Sequence, residues 1–268
     1  MIKSWNELLR VLWRYRHMIC HLTASQLVQR YRGSFLGILW TLVQPLLMLG
    51  IYSFVFGAIF RPRWMAEGGG TSFTLVLFCG LTVYGFFSDS LSRSTGLITG
   101  NPNYVKKIIF PLEVLAVTNV MASFVQSLAG FGILLLAQLW LHGFAPWTVV
   151  LFPLAFLPLF LITLSLCWFF SSLSVYFRDM ENIMGLILSG LMFLSPVFYS
   201  LQAVPEKVRP LFYLNPVTWA VEDLRRVLLW GESLDWRIWG LQLCFAGILL
   251  GLAYRWFKKL QPGFADVL

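Results

Sequence analysis

The sequence predicts an all-α integral membrane protein with six transmembrane helices, an N-terminal amphipathic interfacial helix and re-entrant helices between spans five and six. Three observations lead there. Of the 268 residues, 58% are apolar and only 12% charged, against roughly 45–50% and about 25% in an ordinary soluble domain. Six apolar stretches match a hydrocarbon layer about 30 Å thick, which takes about 20 helical residues per crossing. The cations gather on alternate connections, as membrane proteins arrange them to fix orientation.

Residues 1–32 are expected to form a basic interfacial segment. Ser4-Trp5-Asn6-Glu7 has the form of a capping box, and Trp5, Leu8, Leu9 and Leu12 share one helical face while Arg10 and Arg14 lie elsewhere. Thr23-Ala24-Ser25-Gln26 reads as a second box, starting a helix that leads towards Arg30-Tyr31-Arg32-Gly33. A basic helix rich in Trp lies in the cytoplasmic headgroup plane, either as a plain anchor or as an entry platform for an anionic lipid substrate. The first 18 residues hold no apolar run long enough for a signal peptide, so the mature chain is expected to begin here.

The transmembrane domain is expected over 33–260, with spans at about 35–60, 72–92, 112–140, 148–177, 183–199 and 238–257, the fifth only marginally long enough. A short tail, 261–268, follows. An even number of spans puts both termini on one side. Connections on that side then hold 13 basic and 5 acidic residues, against 7 and 6 on the other. Both termini are therefore expected in the cytoplasm, and the net charge of +8 needs no nucleic acid to explain it. Nearly forty residues separate spans five and six. Their apolar pieces, Leu211 to Trp219 and Leu228-Leu229-Trp230, are too short to cross, which predicts a pair of short helices dipping back into the outer leaflet. Gly33 with Gly37, and Gly247 with Gly251, have a spacing that lets helix backbones approach.

Little in the chain suggests bond chemistry. Cys20, Cys79, Cys167 and Cys244 are scattered and read as small hydrophobes rather than ligands or disulfides. There is no phosphate-cradling G-x-x-x-x-G-K-[ST] and no H-E-x-x-H, so the chain alone is not expected to hydrolyse ATP. With Glu113 counted in the loop at the edge of the third span, Asp89 is the lone acid in the expected spans. Arg93 lies four residues on, which favours an interfacial ion pair over a centre for ion coupling. Energy is then expected from a partner. The segment from Gly100 to Glu113 begins with a turn signature, continues as one short helix and stops at Pro111, forming a compact knob between spans. Taken alone, it also reads as an ordinary loop whose lysines meet headgroups.

Arg30-Tyr31-Arg32-Gly33-Ser34-Phe35-Leu36-Gly37-Ile38-Leu39-Trp40, followed by Gln44-Pro45, resembles the start of type-2 ABC transporter permeases that export polysaccharides. The resemblance continues through Phe110-Pro111-Leu112-Glu113, Phe177-Arg178-Asp179, Ser195-Pro196-Val197-Phe198-Tyr199, Asn215-Pro216 and Phe264-Ala265-Asp266, in the family's order. The likeness is to the group that exports O-antigen, teichoic acid and capsule. It implies a bacterial inner-membrane permease without enzyme activity, forming a homodimer around a polysaccharide channel. It also implies two copies of a separate ABC ATPase, with ATP and Mg bound by that partner and no cofactor in this chain. The family's coupling helix falls on Asn101, Pro102, Asn103, Tyr104, Lys106, Lys107 and Phe110. Arg178 and Asp179 are implied near the ATPase, although Asp179 also suits an N-cap and Arg178 a headgroup anchor.

A sliding sugar chain needs weak, repeated contacts, and aromatic faces supply them without fixing register. Tyr52, Phe56, Phe60, Tyr84, Phe86, Phe87, Phe198 and Tyr199 are the candidate channel aromatics, with lipid contact as their plainer role. Lipid-linked polysaccharides of the family carry a pyrophosphate, for which guanidinium groups are suited donors. Arg30 and Arg32 are the candidate contacts, with snorkelling to ordinary lipid phosphates as the alternative. The rival functions are export of a small lipid or drug, a polyprenyl-phosphate enzyme and a proton-coupled carrier.

Overall fold

The computed structural model describes residues 10–55, 72–106 and 110–267. The described residues are helical, with no strand among them. After a helical turn over 10–14, the chain runs through α1 (Arg16–Arg30), α2 (Trp40–Tyr52), α3 (Phe73–Ser94), α4 (Pro102–Val105), α5 (Glu113–His142) and α6 (Phe152–Tyr176). It continues as α7 (Met180–Phe193), α8 (Arg209–Tyr213), α9 (Pro216–Arg225), α10 (Trp236–Leu260) and α11 (Phe264–Val267).

Among the described residues, five helical stretches are long and apolar enough to cross a bilayer: Gly37–Val55, Phe73–Ser94, Glu113–His142, Trp147–Tyr176 and Trp236–Val267. α7 is different. The apolar stretch expected at 183–199 folds as a helix of 14 residues, about 21 Å long at 1.5 Å per residue, shorter than the hydrocarbon layer. Its end is chemical: Pro196 has no N–H and disfavours helical backbone at the residue before it, and Ser195 turns its hydroxyl back to the Leu191 carbonyl at 2.6 Å.

α3 is the central helix, packed against α2, α5, α6, α7 and α9. Inside its apolar surroundings, polar side chains are satisfied locally. Ser90 bonds the Phe86 carbonyl, Thr163 the Leu159 carbonyl and Ser165 the Leu161 carbonyl, all at 2.7–2.8 Å. Such back-bonding allows hydroxyls within buried helices. Phe86, Phe124, Phe156 and Phe160 interlock at centroid distances of 4.8–6.4 Å where α3, α5 and α6 meet. The first span contrasts with this core: none of its most apolar window is buried, against 72% for α3.

Two local expectations need correction. α1 is continuous through Thr23-Ala24-Ser25-Gln26, so these residues do not start a helix. Gln26 instead donates to Thr118 Oγ1 on α5 at 3.3 Å, and Gln29 to Ser25 Oγ at 2.9 Å; packing on α5 and intact backbone bonds outweigh the capping tendency. The earlier box at Ser4 lies outside the described residues. Asp179 does occupy the N-cap position of α7, but its side chain makes no capping bond.

The long connection between α7 and α10 folds as two short helices, α8 and α9, the second running into a π turn closed by Gly231 at φ 72°. Asn215 caps α9 by accepting from the Val217 amide at 3.0 Å, with Pro216 at the first helical position. Its side-chain amide donates to Ser195 Oγ at 2.8 Å. The Asn-Pro and Ser-Pro motifs, twenty residues apart, are thus two halves of one joint.

Candidate functional site

A cavity of about 620 Å³ lies between α2, α3, α5 and α7. Its polar lining follows helical periodicity: Thr82, Ser88, Asp89 and Ser92 on α3, and Ser123, Gln126 and Ser127 on α5. Residues spaced by three or four share a helix face, so two apolar helices each turn a hydroxyl-rich stripe towards one space.

An ionic cluster closes one end of the stripe. Arg30, at the last position of α1, donates to Asp89 Oδ2 at 2.8 Å, to Gln126 Oε1 at 2.5 Å and to Ser123 Oγ at 3.2 Å. Ser123 donates to the same Asp89 oxygen at 2.6 Å, while Arg93 Nε reaches Asp89 Oδ1 at 2.7 Å. The expected Asp89–Arg93 pair is therefore present, but as part of a larger group. Two guanidiniums share one carboxylate, leaving one surplus positive charge. Burial lowers the Arg30 pKa from its ordinary value, with the Asp89 charge opposing that shift. The Arg30 side chain is only 7% exposed. Arg32 is not brought to this cluster; it is exposed, and its side chain makes no ion pair or hydrogen bond among the described residues.

Of the candidate channel aromatics, Tyr52, Tyr84 and Phe86 line the cavity. Tyr84 also donates to the Leu188 carbonyl on α7. Phe87 is buried in the core outside the cavity lining. Phe198 stacks on Phe193 at 6.1 Å, and the Tyr199 hydroxyl bonds the Phe193 carbonyl at 2.5 Å. Phe56 and Phe60 lie outside the described residues.

The knob between the second and third spans has its own geometry. Asn101 Nδ2 donates to the Leu97 carbonyl at 2.9 Å, and Pro102 opens the single turn α4, which includes Asn103. The Tyr104 and Phe110 rings stack at 4.4 Å across its base. Lys106 is exposed; Lys107 lies outside the described residues. Immediately after Phe110 and Pro111, the buried Glu113 pairs with Lys258 near the end of α10 at 2.7 Å, and its carbonyl accepts from Trp168 Nε1 of α6 at 3.0 Å. Arg178 and Asp179 are exposed at the turn after α6. Tyr176, just before that turn, bonds the Leu260 carbonyl at 3.1 Å and packs on Phe264 of the tail. Phe264 is fully buried and also meets Phe257 at 5.7 Å. The knob's exit, two helix ends and the tail form one packed block.

At the other end of α3 sits a group that sequence reasoning missed. Arg225 of α9, 1% exposed, donates to the carbonyls of Val76 at 3.2 Å and Val197 at 3.0 Å, and to Glu222 at 3.4 Å. Gly80 makes the space: a Cβ there would lie 3.0 Å from Arg225 Nη2 and 3.3 Å from Val197 Cα. The available signal was local, an i,i+3 pair of Glu222 and Arg225 in a short amphipathic stretch.

Comparison with known proteins agrees with these features. Residues 17–229 match the family model described as ABC-2 type transporter. The chain is 31% identical over 213 residues to the O-antigen export system permease protein RfbA of Myxococcus xanthus, covering 79% of this chain and 80% of that protein. It is 28% identical over 255 residues to the Klebsiella pneumoniae protein of the same name, covering 92% and 93%. The polysialic acid transport protein KpsM of Escherichia coli is 25% identical over 209 residues, covering 74% and 76%. With several membrane-crossing helices, a polar cavity between them and a match over most of its length, the chain is a multi-pass integral membrane permease and belongs to the ABC-2 type transporter family.

Proposed function

We propose that this chain is the transmembrane subunit of an ATP-driven exporter that moves a lipid-linked, O-antigen-like polysaccharide out of the cytoplasm across the inner membrane of a bacterium. The reading is supported by the relatives, which are named for O-antigen and polysialic acid transport. The observation that carries it is the hydroxyl-rich cavity ending in the Arg30–Asp89–Arg93 cluster. Sugar hydroxyls are met by many weak hydrogen-bonding groups, and the surplus guanidinium charge suits a phosphate-bearing lipid end.

In this reading two copies of the chain pair around the passage, and two copies of a cytoplasmic ABC ATPase, holding ATP and Mg, supply the energy. α7 serves as a short fifth crossing, α8 and α9 as the re-entrant pair, and both termini lie in the cytoplasm. Residues 1–32 lie at the interface, 33–260 form the transmembrane domain and 261–268 the tail. Asn101 to Phe110, with Arg178 and Asp179, receive the ATPase's motion. Closure and opening of the ATPase would move them as rigid elements, and the Glu113–Lys258 contact extends that block to the last span. Arg30 and Arg32 divide the headgroup task, Arg30 in the pocket cluster and Arg32 at the exposed entrance. Tyr52, Tyr84, Phe86, Phe87, Phe198 and Tyr199, with Phe56 and Phe60, supply aromatic contacts along the route.

Reconstituting the chain with its ATPase into vesicles tests the proposal. ATP-dependent appearance of a lipid-linked polysaccharide on the far side is expected. Transport of a small lipid or drug without any polysaccharide movement would overturn it.

A further inference from the structure

A second groove, of about 510 Å³, runs along the outside of α6 and α10, away from the cavity described above. Its walls are Phe169 from α6 and Leu249, Leu252 and Trp256 from α10, and its end is marked by Arg255 and Lys259. Leu249, Leu252 and Trp256 repeat at helical spacing, and Ser165 in the groove floor turns its hydroxyl back to the Leu161 carbonyl at 2.7 Å. The wall is therefore apolar, with room on the scale of one acyl chain. Trp256 packs on Phe169 at 5.5 Å and stays 40% exposed, as an aromatic at a membrane interface does.

The charge at the groove's end is unbalanced. Three cations crowd the last turns of α10. Lys258 is neutralised by Glu113, whereas Arg255 and Lys259 are exposed and have no carboxylate within ion-pair distance among the described residues. They stand four apart, so both guanidinium and ammonium can close on one anionic group. A long apolar groove that ends in two free cations beside an interfacial tryptophan complements one class of molecule.

We infer that this groove binds an anionic phospholipid of the cytoplasmic leaflet, with one acyl chain along Leu249, Leu252 and Trp256 and the phosphate between Arg255 and Lys259. Basic pockets between membrane helices bind anionic headgroups on that side. The site rests on the proposed orientation, with the end of α10 at the cytoplasmic face. A bound lipid would brace the pair α6–α10 beside the Glu113–Lys258 contact.

Native mass spectrometry of the purified chain, titrated with dioleoyl phosphatidylglycerol or dioleoyl phosphatidylethanolamine, tests the inference without reference to orientation or transport. Phosphatidylglycerol is expected to bind more tightly. Arg255→Gln with Lys259→Gln should weaken it about 30-fold, at about fivefold per cation. Leu252→Trp, which fills the groove and leaves both cations, should weaken it as well. All these side chains are exposed, so melting without lipid should not change. Equal affinity for the two lipids would overturn the inference. So would a charge effect without a groove effect, or a dimer that dissociates on Leu252→Trp, which would show that a second copy covers this face.

Discussion

Arg30 and Asp89 form an ion pair at 2.8 Å although 59 positions separate them in the chain. It ties α1 to α3, at the end of the polar cavity. Because Asp89 also holds Arg93 and accepts from Ser123, one carboxylate organises two cations. Asp89→Asn should leave Arg30 buried without its counter-charge and cost about 1–3 kcal/mol. Asp89 is 28% exposed, so solvent screening places the effect in the lower half of that range. The measurement is thermal unfolding of the purified protein, and unchanged melting would show that the pair contributes nothing.

Arg30 and Arg32 separate in the same assay. Arg30→Ala removes three hydrogen bonds and should destabilise the fold. Arg32→Ala touches no partner and should stay within about 0.5 kcal/mol. The double variant should still assemble with its ATPase yet lose export; normal export would reject their assignment to the lipid headgroup.

At the opposite end of α3, Arg225→Met strips two buried carbonyls of a donor and should cost about 2–6 kcal/mol, at about 1–3 for each unsatisfied group. Gly80→Ala inserts a methyl 3.0 Å from the guanidinium and 3.3 Å from the Val197 backbone, a crowding cost of about 1–3 kcal/mol. Combined, the two changes should fall short of additive, since Met removes the first clash. Strict additivity in a melting series would refute this packing.

The tail offers a test by substitution and relief. A Cβ on Gly263 would meet the Tyr176 hydroxyl at 2.5 Å. Gly263→Ala should therefore loosen the Phe264 contact and speed proteolysis after residue 260, and Tyr176→Phe should restore protection. Equal cleavage in all three proteins would mean that the tail does not depend on this fit.

What was legible in the chain follows from how far each interaction reaches. Apolar length revealed the five long apolar helices among the described residues, and the short helices α8 and α9 followed from apolar pieces too short to cross, whereas the Asn215-Pro216 cap was local chemistry that went unread. The fifth stretch ended early because Pro196 and the Ser195 back-bond stop it at Phe193, a detail that hydropathy does not register. Thr23 and Ser25 have capping chemistry but sit mid-helix, since α1 gains more by continuing along α5. Asp89 with Arg93 was readable as an i,i+4 pair, whereas Arg30, Ser123 and Gln126 join it only through folding. The stripe of Ser123, Gln126 and Ser127 on one face was a signal of the cavity that the sequence did contain. Glu113 and Arg225 find partners 145 and 149 positions away, beyond any local pattern, although both lie in or near segments that carried the family resemblance.

In the proposed function the chain is a passage without its own engine, gripped at the Asn101 to Phe110 knob by a separate cytoplasmic motor. Cys79 and Cys167 are buried, and Cys20 and Cys244 are exposed. Replacing the latter two by Ser and introducing Asn103→Cys gives one accessible thiol. An impermeant maleimide should label it in inside-out vesicles, with protection when the ATPase is bound, and not in intact cells. Labelling from outside intact cells would contradict the account.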